Sequence, residues 1–148
     1  MEVGNLQKLL ADGLRYVPDL RNADLQQANL QNVYLGDRVR KEAVDISGAD
    51  FFEANLTRAS LSGIKAVGTV FYRAKMKKTV LRRAHLREAD FRDADLEDAD
   101  FREADVAGAK FAGANLGQTN FSHAKNIPGE ILGKLDPAGR FMVELEKR

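Results

Sequence analysis

The chain has no cysteine, so disulfide frameworks and thiol chemistry are excluded. Long apolar runs are missing too. No stretch approaches the roughly 18 residues that a membrane-spanning helix needs. The first residues, MEVGNLQKLLADGLRYV, lack the apolar centre of a signal peptide. A soluble cytoplasmic protein is therefore expected. An excess of one charge is also lacking. The chain carries 23 Lys+Arg against 22 Asp+Glu, a net charge of +1, which favours neither a nucleic-acid nor a membrane partner. Histidine is scarce, with only His85 and His123. No phosphate loop, dinucleotide fingerprint or metal-ligand spacing occurs. The 148 residues suffice for one domain.

What is present is a period. Residues 84–126 divide into fives: AHLRE ADFRD ADLED ADFRE ADVAG AKFAG ANLGQ TNFSH AKN. Each unit has a small residue, a polar one, then Leu, Phe or Val, then two more polar or small residues. Neither an α-helix nor a simple strand keeps a five-residue period. A fixed period of this kind marks a repeat architecture. Upstream, Leu20, Leu25, Leu30 and Leu35 hold the central position, and the series resumes at Ile46. Between Leu35 and Ile46 lie eleven steps, two repeats plus one residue, and charge stands where an apolar residue is due. This phase slip near 36–45 is expected to be a bulge or looped-out corner.

The runs ADLQQANL, ADFFEANLTRASL, ADFRDADLEDADFREAD and ANLGQTNF resemble the pentapeptide-repeat family, whose pattern is A-(D/N)-(L/F)-x-x. The resemblance covers about residues 18–126. It implies an all-β solenoid, a right-handed quadrilateral β-helix of about five coils, with one pentapeptide per side. Residues 1–17 are expected to form an N-terminal helical cap. Residues 127–148 are expected to form a C-terminal cap, with one or two helical turns beginning at Pro128, a turn at Asp136–Gly139, and a strand alternating Phe141, Val143 and Leu145. That strand is a candidate for dimerisation.

Twenty residues per coil make positions i and i+20 neighbours. Four interior columns follow: Phe51, Phe71, Phe91, Phe111; Leu56, Met76, Leu96, Leu116; Leu61, Leu81, Phe101, Phe121; and Ile46, Ala66, Leu86, Val106. Ala66 should leave a thin spot unless a neighbour fills it. Ile64, Thr69, Thr79 and Thr119 occupy positions where a small residue is expected. The Asp or Asn before each central residue suits a corner, because its side chain reaches nearby amides.

The same period folds two charge runs together. Residues 65–87 hold eight bases and no acid, and residues 88–105 hold nine acids. Read linearly, the first run resembles a nucleic-acid patch. At a period of twenty it faces the second: Arg73 beside Asp93, Lys75 beside Asp95, Lys77 beside Glu97, Lys78 beside Asp98, Arg83 beside Glu103 and His85 beside Asp105. Glu53 extends the first pair to a ladder. Cancellation within the rod is the preferred reading. Arg82, Arg87 and Arg102 are left outside these pairs. The two histidines fall on different corners, so a shared metal is not expected.

Acid–base catalysis needs a cleft that shifts pKa values, and a filled narrow bore has none. No enzyme activity and no cofactor are expected. Phe52, Tyr72 and Arg92 form an outward column that reads either as a protein-interaction patch or as stacked aromatics stabilising the face. The candidate interaction surface is Phe52, Tyr72, Arg92, Arg82 and Arg102. The leading functional expectation is a non-enzymatic scaffold that binds another protein. The alternative is a DNA mimic that protects gyrase and confers quinolone resistance, as some similar proteins do. That role calls for a strongly negative rod, whereas residues 18–126 hold 16 acids and 17 bases.

Overall fold

The computed structural model describes residues 20–21, 23–31, 35 and 43–142. The expected cap at 1–17 lies outside the described residues. Parallel backbone bridges join Asp50 to Val70, Val70 to Asp90 and Asp90 to Lys110, and the same separation of twenty recurs on the other columns. The chain turns once in every five residues, hence four times per coil. The inward residues define the sides. Side 1 carries Leu20, Ile46, Ala66, Leu86 and Val106. Side 2 carries Leu25 and the four phenylalanines Phe51, Phe71, Phe91 and Phe111. Side 3 carries Leu30, Leu56, Met76, Leu96 and Leu116, and side 4 carries Leu35, Leu61, Leu81, Phe101 and Phe121. All are buried, at 6% exposure or less.

The five-residue unit follows from backbone hydrogen bonding. Within residues 49–53 each amide has a different destination. Ala49 N closes the turn on Ile46 O at 3.0 Å, Asp50 N reaches back to Ala23 O at 3.0 Å, and Phe51 N and Glu53 N reach forward to Val70 O and Tyr72 O at 2.7 and 3.1 Å. The remaining amide, Phe52 N, donates to Asp50 Oδ1 at 2.9 Å. The Asp/Asn position is thus bridged on the flat side, one step before the inward residue, and braces the corner from there. Two residues in five go to the turn, so each side offers too little length for a longer strand. The corner residue has positive φ whether it is glycine (Gly63, Gly68) or not (Arg58, Lys78, Asp98). An i→i+3 bond with positive φ at the third residue is the type II arrangement.

The phenylalanines of side 2 stack in single file, with centroids 5.3, 5.0 and 5.1 Å apart. Phe101 and Phe121 stack at 5.0 Å on side 4, and Phe91 meets Phe101 edge-on at 5.5 Å. Such pairs contribute about 0.5–1.5 kcal/mol beyond the area they bury. The departures from pattern are accommodated. Ala66 and Ile64 are both 0% exposed; their large and small residues are exchanged in order. Thr69, Thr79 and Thr119 are buried, and each hydroxyl donates to a carbonyl one coil earlier, Ile46 O, Leu56 O and Leu96 O, at 2.8–2.9 Å.

The slip is larger than two repeats plus one residue suggests. Asp24 bridges Asp50 and Asn29 bridges Asn55, a separation of 26 instead of twenty. Leu35 N still meets Ser60 O at 2.9 Å, so Leu35 closes the first coil and Ile46 opens the second. Eleven steps separate them where the winding needs five, a surplus of six.

At the far end lies a single helical turn, α1 at Gly129–Leu132, with Pro128 at the position just before the helix instead of in its first turn. The turn at 136–139 is closed by Gly139 N to Asp136 O at 2.9 Å. It brings Arg140 back to Asn120 and Phe141 to Leu135 in antiparallel bridges. Ile131, 2% exposed, belongs to the core, and Leu135 and Phe141 pack on it.

Candidate functional site

Position i+1 of each repeat, just past the inward residue, points outward. On side 2 this places Phe52 beside Tyr72, with ring centroids 5.6 Å apart at 31°. Both are half-buried. Two guanidinium groups lie against Tyr72, Arg73 at 5.3 Å and Arg92 at 5.7 Å from the ring centre. Contacts of this type contribute about 0.5–1 kcal/mol when exposed. Arg92 also grips Asp90 through two bonds of 2.9 and 2.7 Å, and this hydrogen bonding holds the Asp90 carboxyl below its ordinary range. Arg73 pairs with Glu53 at 3.7 Å. Val67, one side back, is 44% exposed. Tyr72 is therefore packed by Phe52 and by two cations that are themselves held by carboxylates.

Arg82, Arg87 and Arg102 are not left over. Arg82 and Arg102 both bind Asp100, at 2.6 and 2.7 Å, and Arg87 binds Asp105 at 2.8 Å. The straight separation of twenty misses all three: Arg102 reaches Asp100 within its own repeat, and the other two pairs are eighteen apart. An arginine at i+1 is long enough to reach diagonally to the carboxylate eighteen residues on. Asp100 then separates two like charges. Of the anticipated pairs, Lys77–Glu97 and Arg83–Glu103 form, at 2.7 and 3.1 Å. Lys77 also takes Asp95 at 3.7 Å. Among the described residues, Arg73–Asp93, Lys75–Asp95, Lys78–Asp98 and His85–Asp105 do not come within ion-pair distance. Asp105 is instead bonded by Asn126 Nδ2 at 2.9 Å and by Arg87, and these bonds lower its pKa to about 2.

His85 and His123 do share a corner, contrary to expectation. Both line a shallow groove of about 610 Å³ with Arg83, Glu103, Asp105 and Lys125. Positions 83–85, 103–105 and 123–125 stack, which places both histidines beside one edge, two coils apart. No group of three His, Asp or Glu able to hold a metal occurs among the described residues. No described helix is long and apolar enough to cross a membrane.

Of the candidate dimerisation residues, Phe141 is engaged by its own chain. Its amide donates to Thr119 O at 2.9 Å and its ring is half-buried against the core. Val143 and Leu145 lie outside the described residues. Among the described residues at this end, the exposed apolar side chains are Leu132 at 58% and Met142 at 49%.

The pentapeptide-repeat region model matches residues 37–111, and a second model of pentapeptide repeats, in eight copies, matches residues 99–125. The chain belongs to the pentapeptide-repeat family. Similar solved structures include Rfr23 from the cyanobacterium Cyanothece 51142, 22% identical over 82% of this chain and 92% of that one, with a TM-score of 0.48. A pentapeptide-repeat protein of the Arabidopsis thaliana thylakoid lumen is 21% identical over 82% and 79%, with a TM-score of 0.38. QnrB1, a plasmid-mediated fluoroquinolone resistance protein, is 20% identical over 68% of this chain and 57% of that one, with a TM-score of 0.41. Among curated proteins none matches.

Proposed function

We propose that this protein is a non-enzymatic binding module, a right-handed four-sided rod that presents flat faces to another protein. The contact is the Phe52–Tyr72 column of side 2. The observation that carries it is the pair of outward rings at 5.6 Å with two guanidinium groups within 6 Å of the Tyr72 ring centre, at 5.3 and 5.7 Å. Aromatic residues and arginine dominate the energetics of protein interfaces. The bore beneath is filled with side chains, which supports recognition at the outer face over binding within. The test is a double variant, Phe52→Ala with Tyr72→Ala, compared with wild type for capture of partners by crosslinking. Capture should fall at least roughly tenfold, the effect of losing a hot-spot pair, while the thermal unfolding curve stays cooperative. Undiminished capture by the variant, or turnover on a substrate panel without any partner, would overturn the reading.

A gyrase-protecting DNA mimic is disfavoured by the balance of 16 acids and 17 bases over residues 18–126. Stoichiometric protein is expected to leave quinolone inhibition of gyrase supercoiling unchanged. Self-association through the C-terminal segment is a separate proposal. Phe141 is committed to its own cap, so Met142→Glu is the informative change. It should halve the mass seen by light scattering, and an unchanged mass would count against it.

A further inference from the structure

The last coil, 106–125, ends in an edge that is closed on side 1, where Val106 N donates to Lys125 O at 3.1 Å, and by the cap on side 4. There Phe121 N donates to Gly139 O at 2.8 Å and Phe141 N donates to Thr119 O at 2.9 Å. On side 3 the inherited half of the ladder is complete: Asn115 N reaches back to Ala94 O at 2.9 Å and Thr119 N closes its turn on Leu116 O at 3.0 Å. Gly117 N is braced by Asn115 Oδ1 at 3.2 Å. The forward half is not. Leu116 N and Gln118 N, the counterparts of Leu96 N and Asp98 N, have no acceptor among the described residues, whereas those earlier amides reach Asn115 O and Gly117 O at 2.8 Å. Ala114 gives the same indication from the side-chain direction. It occupies a position where Ala74, Ala94 and Ala54 are at most 1% exposed, yet it is half-exposed. The cap therefore leaves the corner between sides 2 and 3 open.

Natural sheets protect such edges with charge, proline or bulges. From 111 to 122 this coil has no charged residue and no proline. Its corners there are Ala112-Gly113 and Gly117-Gln118, low in relief and regular in the ladder geometry of the coils below. One coil beneath, an exposed acid stands at each end of the edge, and Arg92, beneath Ala112, is turned onto Asp90. Asp93 stands under Gly113, where an added Cβ would collide with its carboxylate, and Asp98 stands under Gln118, accepting no cation within ion-pair distance among the described residues. Both acids are exposed.

We propose that side 3 of the last coil is a docking edge for an extended segment of a partner protein that carries basic side chains. The segment pairs by backbone with Leu116 N, Gln118 N and Ala114 O, as a further half-coil would, and its lysine or arginine side chains fall toward Asp93 and Asp98. Strand addition of this kind draws affinity from the main chain and selectivity from alternate side chains. The edge lies apart from the Phe52–Tyr72 column, so either can fail without the other.

The test uses the full chain, isotope-labelled, with three synthetic probes: a seven-residue alternating Thr/Val peptide containing two lysines, its glutamate counterpart, and the lysine peptide N-methylated on the pairing amides. The lysine peptide should shift the Leu116 and Gln118 amide resonances and slow their hydrogen exchange by roughly tenfold or more, as a formed ladder bond does. The glutamate and N-methylated peptides should do neither. Asp93→Asn combined with Asp98→Asn should weaken the lysine peptide by about fivefold, the loss of two exposed attractions. Three results would overturn the proposal: no shift with about 1 mM lysine peptide, equal binding of the N-methylated peptide, or protection of the two amides in the free protein that rises with protein concentration, which would mean that a second copy occupies the edge.

Discussion

Gly139 and Gly63 both have positive φ, at +78° and +70°, yet they should answer differently to alanine. At Gly63 nothing lies within 4 Å of the new Cβ, so the change carries only the backbone term of about 1–2 kcal/mol. At Gly139 the Cβ would meet Ser122 Cα and N at 2.8 and 2.9 Å, backbone that cannot rotate away. Gly139→Ala should therefore lower the denaturation free energy further, by about 1–3 kcal/mol beyond the Gly63 value, and release the C-terminal cap first. Phe91→Ala should cost about 3–5 kcal/mol, because the ring stacks on Phe71 and Phe111 and meets Phe101 edge-on. Thr79→Val should cost about 1 kcal/mol for one buried hydrogen bond. Asp105 sets a pH window. Its folded pKa of about 2 lies below the ordinary 3.8, so it stabilises fully above the ordinary value and the contribution is lost as pH falls through the folded one. In Asn126→Ala the folded value returns toward 3.8, and the difference in stability from wild type should shrink as pH falls from 4 to 2 in denaturant titrations. The file of phenylalanines was legible because identical residues recur at an identical spacing. The positive-φ corner was not, because it holds Glu, Arg, Lys, Asp and Gly without preference and leaves no residue-type signature. The diagonal ion pairs were missed for a related reason: side-chain length, not sequence spacing, decides which carboxylate an arginine reaches.

At the level of the coil, the bridges of separation 26 imply that six residues between Leu35 and Ile46 are surplus to the winding. Deleting 37–42 should leave the fold intact and change stability by less than about 1 kcal/mol, since closure entropy varies slowly with loop length. Deleting eight residues should unfold the first coil. Circular dichroism and denaturation of both variants check this. The insertion was visible in the sequence as charge out of place. Its size was not, because counting in fives from Leu35 cannot tell one repeat plus six residues from two repeats plus one; only backbone pairing across the coils can. The C-terminal turn at 136–139 was legible from its Asp-Pro-Ala-Gly chemistry. The partner of the strand that follows was not, since Phe141 suits an edge of its own chain as well as that of a second copy.

Across the whole molecule the surface charge is banded. Residues 66–85 carry six cations and no acid, and residues 86–105 carry nine acids with Arg87, Arg92 and Arg102. The bands touch through Lys77, Arg82 and Arg83. These pairs are exposed and each is weak, about 0.2–1 kcal/mol. Stability should therefore fall by about 1–2 kcal/mol between low salt and about 1 M salt, where screening shortens to about 3 Å. A variant lacking residues 66–85 keeps the twenty-residue winding but sets the acidic band against a coil of balanced charge. Its salt dependence should have the opposite sign. A wild-type protein indifferent to salt would show that the bands do not act on one another.

The slip after Leu35 also bears on how such a chain can change length. A duplicated pentapeptide wound into the rod would rotate everything downstream by a quarter turn, carrying the aromatic file beneath leucines and the outer rings onto a neighbouring wall. Extra residues thrown out at a vertex leave every later wall where it was. Heredity can therefore lengthen this molecule in whole revolutions, or decorate its vertices, without disturbing the surfaces on which recognition would depend.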